Sequence, residues 1–145
     1  MPAKDFYHVA VRNALIKEGW TITHDPFRIQ WGKRDLYVDL GAERLIGAQK
    51  GESKIAVEIK SFLGASDIAE LEQALGQLVI YHDVLEEVQP DYVLYLAIPK
   101  KTYETLFAEP IGELLLRKRR AALLVYDPEK EEIFTWKPLQ NPILS

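Results

Sequence analysis

The pattern of apolar and polar positions changes period along the chain, and the changes mark its elements. Lys54 to Ser61 alternates as a strand does, with Ile55, Val57 and Ile59 on one face and Lys54, Ala56, Glu58 and Lys60 on the other. An antiparallel strand with its polar face in water has the same pattern. After it, Ile68, Leu71, Leu75, Leu78, Val79, His82 and Leu85 keep a helical period, and Ser66 or the Asp67-x-x-Glu70 pair can cap the start. An earlier helix is predicted from Phe6, Val9, Ala10, Asn13, Leu15 and Ile16, ending at Gly19. Short strands are expected at Thr21–His24, Phe27–Trp31 and Leu36–Leu40, with a turn at Gly32-Lys33. Arg44–Gln49 and Lys54–Ser61 would then flank a four-residue hairpin loop, Lys50-Gly51-Glu52-Ser53.

The second half reads more simply. Tyr92–Ile98 is a continuous apolar run between Pro90 and Pro99, as in a strand buried on both faces. A helical region over 100–119 is broken by Pro110. Strands at Ala121–Tyr126 and Ile133–Trp136 flank an Asp127-Pro128 turn. The order is helix, three-strand meander, helix, strand, helix, strand, strand. This predicts an α/β (α+β) domain, a mixed sheet flanked by helices, with residues 1–145 as one unit.

Composition narrows the chemistry. The chain is 48% hydrophobic and 28% charged, a globular balance. It has no cysteine, so disulfides, thiolate zinc sites and cysteine nucleophiles are excluded. The first twenty residues hold no apolar signal core, and no apolar run approaches membrane-spanning length. The expectation is a soluble cytoplasmic protein with no membrane partner. The net charge of −4 weighs against non-specific coating of nucleic acid. Cations are nevertheless concentrated in Arg117-Lys118-Arg119-Arg120 and in Lys100-Lys101. Such a run usually completes a solvated helix end, and phosphate contact is the alternative. No glycine-rich phosphate loop, G-x-S-x-G elbow or H-E-x-x-H helix is present. His8, His24 and His82 are isolated in sequence, with His82 expected to pack in the core, and Trp20, Trp31 and Trp136 are read as packing residues.

One constellation carries chemistry. A short hairpin would bring Asp39, Glu58 and Lys60 together at one end. Two carboxylates so placed repel, and a hard divalent cation neutralises both; Mg²⁺ takes one or two carboxylates and keeps waters for phosphate oxygens. A neighbouring lysine can orient or deprotonate an attacking water and offset charge that grows at phosphorus. Gln77 and Tyr81, four apart, share a face of the following helix. Taken alone, these residues also fit a solvated hairpin beside an amphipathic helix.

Asp39, Glu58-Ile59-Lys60 and Gln77 to Tyr81 resemble the PD-(D/E)XK nuclease superfamily and its Q-x-x-x-Y branch. The longer phrases YVDLGAERLIGAQKGESKIAVEIKSF and ALGQLVIY are similar to the XisH family, cyanobacterial factors named for controlling excision of the fdxN element. The resemblance spans nearly the whole chain and implies a restriction-endonuclease-like core of helix, β-meander, helix and strand. It further implies that Asp39 and Glu58 ligate Mg²⁺ or Mn²⁺, with the Ile59 carbonyl as an extra ligand. Lys60 would be the catalytic lysine, with Gln77 and Tyr81 shaping the site or touching the DNA backbone. Val38 stands where the superfamily motif has proline. Some relatives add an acidic residue on the first helix, for which Asp5, His8 and Glu18 are the candidates. The implied function is metal-dependent DNA endonuclease chemistry in element excision and site-specific recombination. The alternative is a catalytically silent accessory factor that binds DNA or a partner protein. Expected partners are DNA, a companion excision factor, a site-specific recombinase and further copies of the chain.

Overall fold

In the computed structural model, which describes residues 3–47 and 51–138, helices cover both faces of a six-stranded mixed sheet. The elements in chain order are α1 (Ala3–Lys17), β1 (Thr21–His24), β2 (Phe27–Trp31), β3 (Arg34–Val38), β4 (Leu40–Gly47), β5 (Gly51–Ile59), α2 (Asp67–Val88), β6 (Tyr92–Pro99), α3 (Lys100–Thr105), a 3₁₀ turn at Leu106–Ala108, α4 (Pro110–Arg117), β7 (Leu123–Asp127) and β8 (Glu132–Lys137). The sheet order is β1-β4-β5-β6-β7-β8. Strands β5, β6 and β7 run parallel, and the outer pairings are antiparallel. Parallel neighbours need crossovers, which α2 and the α3–α4 segment supply.

The two faces have different cores. Val11 and Leu15 of α1 pack on Ile55, Val57, Tyr95, Ala97 and Tyr126. On the other face Leu71, Ala74 and Leu78 of α2 meet Leu96, Ile98, Leu123 and Val125. The helix α2 starts where Ser66 Oγ accepts the Ala69 N–H at 3.2 Å, an N-cap that satisfies an otherwise orphaned donor. Pro110 opens α4 at a position where its missing N–H costs nothing. Gly112 allows close approach there, because a Cβ would lie 2.4 Å from the Phe107 backbone.

Three expectations change. The meander is interrupted: β2 and β3 form a separate two-stranded sheet, and β4 returns to pair with both β1 and β5. Phe27, Ile29 and Val38 from this hairpin pack on Tyr81, Val84 and Leu85, so it covers the α2 side of the main sheet. The predicted hairpin loop is also displaced. Glu52 and Ser53 pair with Leu45 and Arg44 within β5, while Ala48, Gln49 and Lys50 lie outside the described residues. Cross-strand pairing here overrides the turn preference of Gly-Glu-Ser. Finally, His82 is exposed and faces Asp83 and Glu86, and Trp31 at the hairpin tip is 53% exposed. The buried stripe of α2 runs through Ala74, Tyr81 and Val84, rotated away from Val79 and His82.

Candidate active site

The face of β5 that carries Glu58 and Lys60 is covered by protein. Ala56 on that face packs with Tyr81, Val84 and Leu85 of α2, and Glu58 is only 6% exposed. Its carboxylate therefore lies beneath α2, at the end of β5 where the chain turns out of the sheet. Lys60 continues the parallel ladder, donating its N–H to the Ala97 carbonyl at 3.0 Å. Two residues later Phe62 takes a left-handed backbone with φ 56°, a conformation that costs a non-glycine residue roughly 1–2 kcal/mol. Strain of this kind is commonest beside functional sites.

Asp39 occupies the bend between β3 and β4, opposite Glu58. The registry Leu40↔Val57 places the two side by side. Asp39 N–H donates to Glu58 Oε1 at 3.3 Å, and Asp39 Oδ2 accepts the Ile59 N–H at 2.8 Å. Lys60 Nζ lies 3.9 Å from Glu58 Oε2 on the same strand face. Gly41 helps seat this corner, since a Cβ there would come within 3.0 Å of both the His24 and Phe27 side chains.

Burial, then the charge of Asp39, push the Glu58 carboxyl up to about 8, with Lys60 pulling the other way. Tyr81 is also raised, first by burial and then by Glu58 and Asp39, against a hydrogen bond with Gln77. Both helix residues thus belong to the electrostatic surroundings of the carboxylate pair. Gln77 Oε1 is buried without a hydrogen-bond partner among the described residues. All five residues singled out from the sequence gather at this one corner of the sheet.

The first-helix candidates go elsewhere. His8 Nε2 bonds to Asp25 Oδ1 at 2.8 Å, with Arg12 on the other oxygen. Glu18 Oε1 accepts the Trp136 indole at 3.0 Å and takes Arg44 at 3.4 Å. Asp5 is exposed on the first turn of α1. Among the described residues no group of three or more His, Cys, Asp or Glu side chains gathers as a metal cluster. The oxygens that could hold a cation here are those of Asp39 and Glu58 with the Ile59 carbonyl.

Sequence reasoning missed a pocket whose wall includes Ser61, one residue beyond Lys60. This pocket, of about 490 Å³, opens beyond the ends of β5, β6 and β7, with Lys100 and Lys101 in its wall beside Asp67, Glu104, Asp127 and Glu129. These acids are spread over sixty residues of sequence, so no local charge run announces them. The run Arg117–Arg120 lies elsewhere, before the start of β7.

Comparison with known proteins agrees on one lineage. The family model described as XisH protein matches residues 1–134. The crystal structure of an XisH family protein from Nostoc punctiforme PCC 73102 is 42% identical, with a TM-score of 0.82 over 92% of this chain and 99% of that one. A crystal structure of an fdxN element excision controlling factor protein from Anabaena variabilis is 44% identical, with a TM-score of 0.82 over 92% of this chain and 98% of that one. No curated protein matches the chain. With a family match across almost its whole length and two such structural likenesses, the chain belongs to the XisH family.

Proposed function

We propose that this protein is a metal-dependent phosphodiester hydrolase acting on DNA in element excision, with its site at Asp39, Glu58 and Lys60. The observation that carries the reading is the placement of Glu58. A carboxylate with 6% exposure is held against a second carboxylate, with a lysine ammonium 3.9 Å away. A protein gains no stability from burying such a pair, because desolvation and repulsion both oppose it. The A. variabilis likeness supports the excision setting.

The residues fit Mg²⁺ or Mn²⁺. The donor set is hard oxygen, and the orphaned Gln77 Oε1 offers an acceptor to a coordinated water. Asp39, Glu58 and the Ile59 carbonyl would hold the ion, which when bound supplies Lewis-acid polarisation of a phosphoryl oxygen. Lys60 would orient the attacking water and offset charge developing on the phosphate. The Gln77–Tyr81 pair would fix the positions of the carboxylates and exclude bulk water.

A second reading keeps the fold as an accessory factor beside a recombinase and a companion excision factor. The acid-lined pocket next to Lys60 favours it, because four carboxylates against two lysines repel a phosphodiester chain. The deciding experiment is cleavage of plasmid, single-stranded and branched DNA with Mg²⁺ or Mn²⁺, wild type beside Lys60→Ala. Cleavage by the wild type alone supports hydrolysis. Absence of cleavage on every substrate, with metal binding intact, supports the accessory role.

A further inference from the structure

The corner that holds Asp39 and Glu58 is poor in positive charge, and so is the pocket beside it. At the corner Lys60 stands with Asp39 and Glu58, and in the pocket Lys100 and Lys101 stand with Asp67, Glu104, Asp127 and Glu129. A polyanion gains little attraction here, so affinity for DNA must come from another part of the surface.

The other concentration of cations supplies it. Arg117 closes α4, and Lys118, Arg119 and Arg120 follow in a tight turn. There Arg119 N–H bonds the Leu116 carbonyl at 3.0 Å and Arg120 N–H the Leu115 carbonyl at 2.9 Å. All four side chains are exposed, and the turn fixes their spacing. Lys137, on β8 opposite Leu123, joins Arg119 around a smaller pocket of about 300 Å³ floored by Leu116, Ala121 and Ala122. Among the described residues none of these five cations makes an ion pair with a carboxylate. The residues after Pro138, Leu139 to Ser145, carry no acidic side chain. A free, guanidinium-rich patch on a chain of net charge −4 is local, not part of a general basic surface.

We infer that Arg117, Lys118, Arg119, Arg120 and Lys137 form a docking surface for the DNA backbone, separate from the hydrolytic site. Planar guanidiniums pair bidentately with phosphate oxygens as they do with carboxylates, and the regular, continuous charge of a phosphodiester chain is what five closely spaced, unpaired cations can engage together. The inference rests on the reading of the Asp39–Glu58 site as one that acts on DNA. Register gives the geometry. Lys60 N–H bonds the Ala97 carbonyl, and Leu96 N–H bonds the Ala122 carbonyl, so Arg120 lies toward the opposite ends of the parallel strands and two strands across. The separation from Lys60 is roughly 15–20 Å. At 3.4 Å per base pair along a strand, the anchored segment lies about five base pairs from the point of attack.

The test is binding of a labelled DNA duplex by fluorescence anisotropy across a salt series, in chelator so that no cleavage occurs. The variant Arg117→Gln/Lys118→Gln/Arg120→Gln/Lys137→Gln leaves Arg119 in place because of its left-handed backbone, φ 56°. Its affinity is expected to fall about tenfold or more, with the slope of log K against log salt reduced by roughly 2 to 4. A Lys-for-Arg version at 117 and 120 should restore most of the slope, which a folding defect would not allow. An unchanged slope and affinity in the glutamine variant would overturn the inference. So would patch-dependent binding to phosphatidylserine vesicles with duplex binding unaltered, which would make the surface a membrane contact. Cleavage by Lys60→Ala is read separately. If Lys60→Ala still cleaves while the patch variant loses duplex binding, the hydrolytic assignment fails and the docking surface stands.

Discussion

The hairpin of β4 and β5 carries two carboxylate pairs, one near each end. Asp39, in the bend just before β4, faces Glu58 at the end under α2, and Glu43, opposite Lys54 in register, meets Glu52 diagonally near the end that leads to the turn. All three glutamates come from these two strands, and in both pairs a glutamate is raised by its partner. The difference is what covers them. Glu43 is open to water, has Lys54 nearby, and owes its shift first to a hydrogen bond with Glu52. Glu58 is roofed by Tyr81 and its neighbours, and burial is the leading cause of its shift to about 8. Proximity of two acids is cheap on a surface; it becomes a site where water is excluded and a lysine and an amide are placed around it.

The comparison can be broken at its strongest point first. Lys60→Ala should lower metal-dependent DNA cleavage by about 10²–10⁴-fold, the usual worth of a positioned acid–base group, while retaining the Mg²⁺-induced rise in melting temperature. Equal cleavage by wild type and variant would remove the lysine from the mechanism.

The next test is pH. Folded Glu58 keeps its proton to about 8, whereas the unfolded chain releases it near 4.5. Between those values the native state binds more protons than the unfolded one, so stability falls as pH rises. The contribution is fully present below 4.5, and nothing further is lost above about 8. Denaturant titrations of metal-free protein should show a slope of up to about 1.4 kcal/mol per pH unit in that window, flattened in Glu58→Gln. A wild-type profile without the slope would mean that Glu58 is solvated.

Removing the opposing carboxylate should have a smaller effect. Asp39→Ala loses the acceptor for the Ile59 N–H, at a cost of about 1 kcal/mol, and relieves repulsion on Glu58. The variant should fold, and calorimetry should find its Mg²⁺ and Mn²⁺ affinity sharply reduced. Unfolding would make Asp39 a structural residue. At the other end of the hairpin, Glu43→Gln should leave metal affinity and the Glu58-dependent slope up to about pH 8 unchanged. A measurable loss of metal binding there would erase the distinction between the pairs.

How much of this was legible in the residues depends on whether a signal was local. The extents of α2 and β6 and the Asp127-Pro128 turn need only neighbours along the chain, and they fall where the pattern puts them, although the buried stripe of α2 is rotated from Val79 and His82 to Tyr81 and Val84 and Val93 of β6 is exposed. Asp39, Glu58 and Lys60 could be brought together from hairpin spacing, whereas the place of Gln77 and Tyr81 beside them was implied by the family resemblance. The cover over Glu58 could not be read, because an alternating strand looks the same whether water or a helix lies above it. The departure of β2 and β3 into their own sheet depends on Phe27, Ile29 and Val38 finding Val84 and Leu85 some fifty residues away. For the same reason His82 and Trp31 read as core residues, while the packing of distant elements leaves both outside. The sequence does not say whether the two basic groups share a surface; the crossover from β6 to β7 places Lys100-Lys101 after the end of β6 and Arg117–Arg120 before the start of β7.

Asp39 is the single residue at which the chain leaves the small sheet, after Val38, and enters the large one, at Leu40. In mechanical terms it is a pivot between two plates. Its carboxylate is aimed jointly by the hairpin on one side and by Glu58 and Ile59 on the other. Tilting the hairpin away from α2 would swing that carboxylate off its partners while both sheets kept every rung of their ladders. The integrity of the site is therefore gauged by the angle between two sheets.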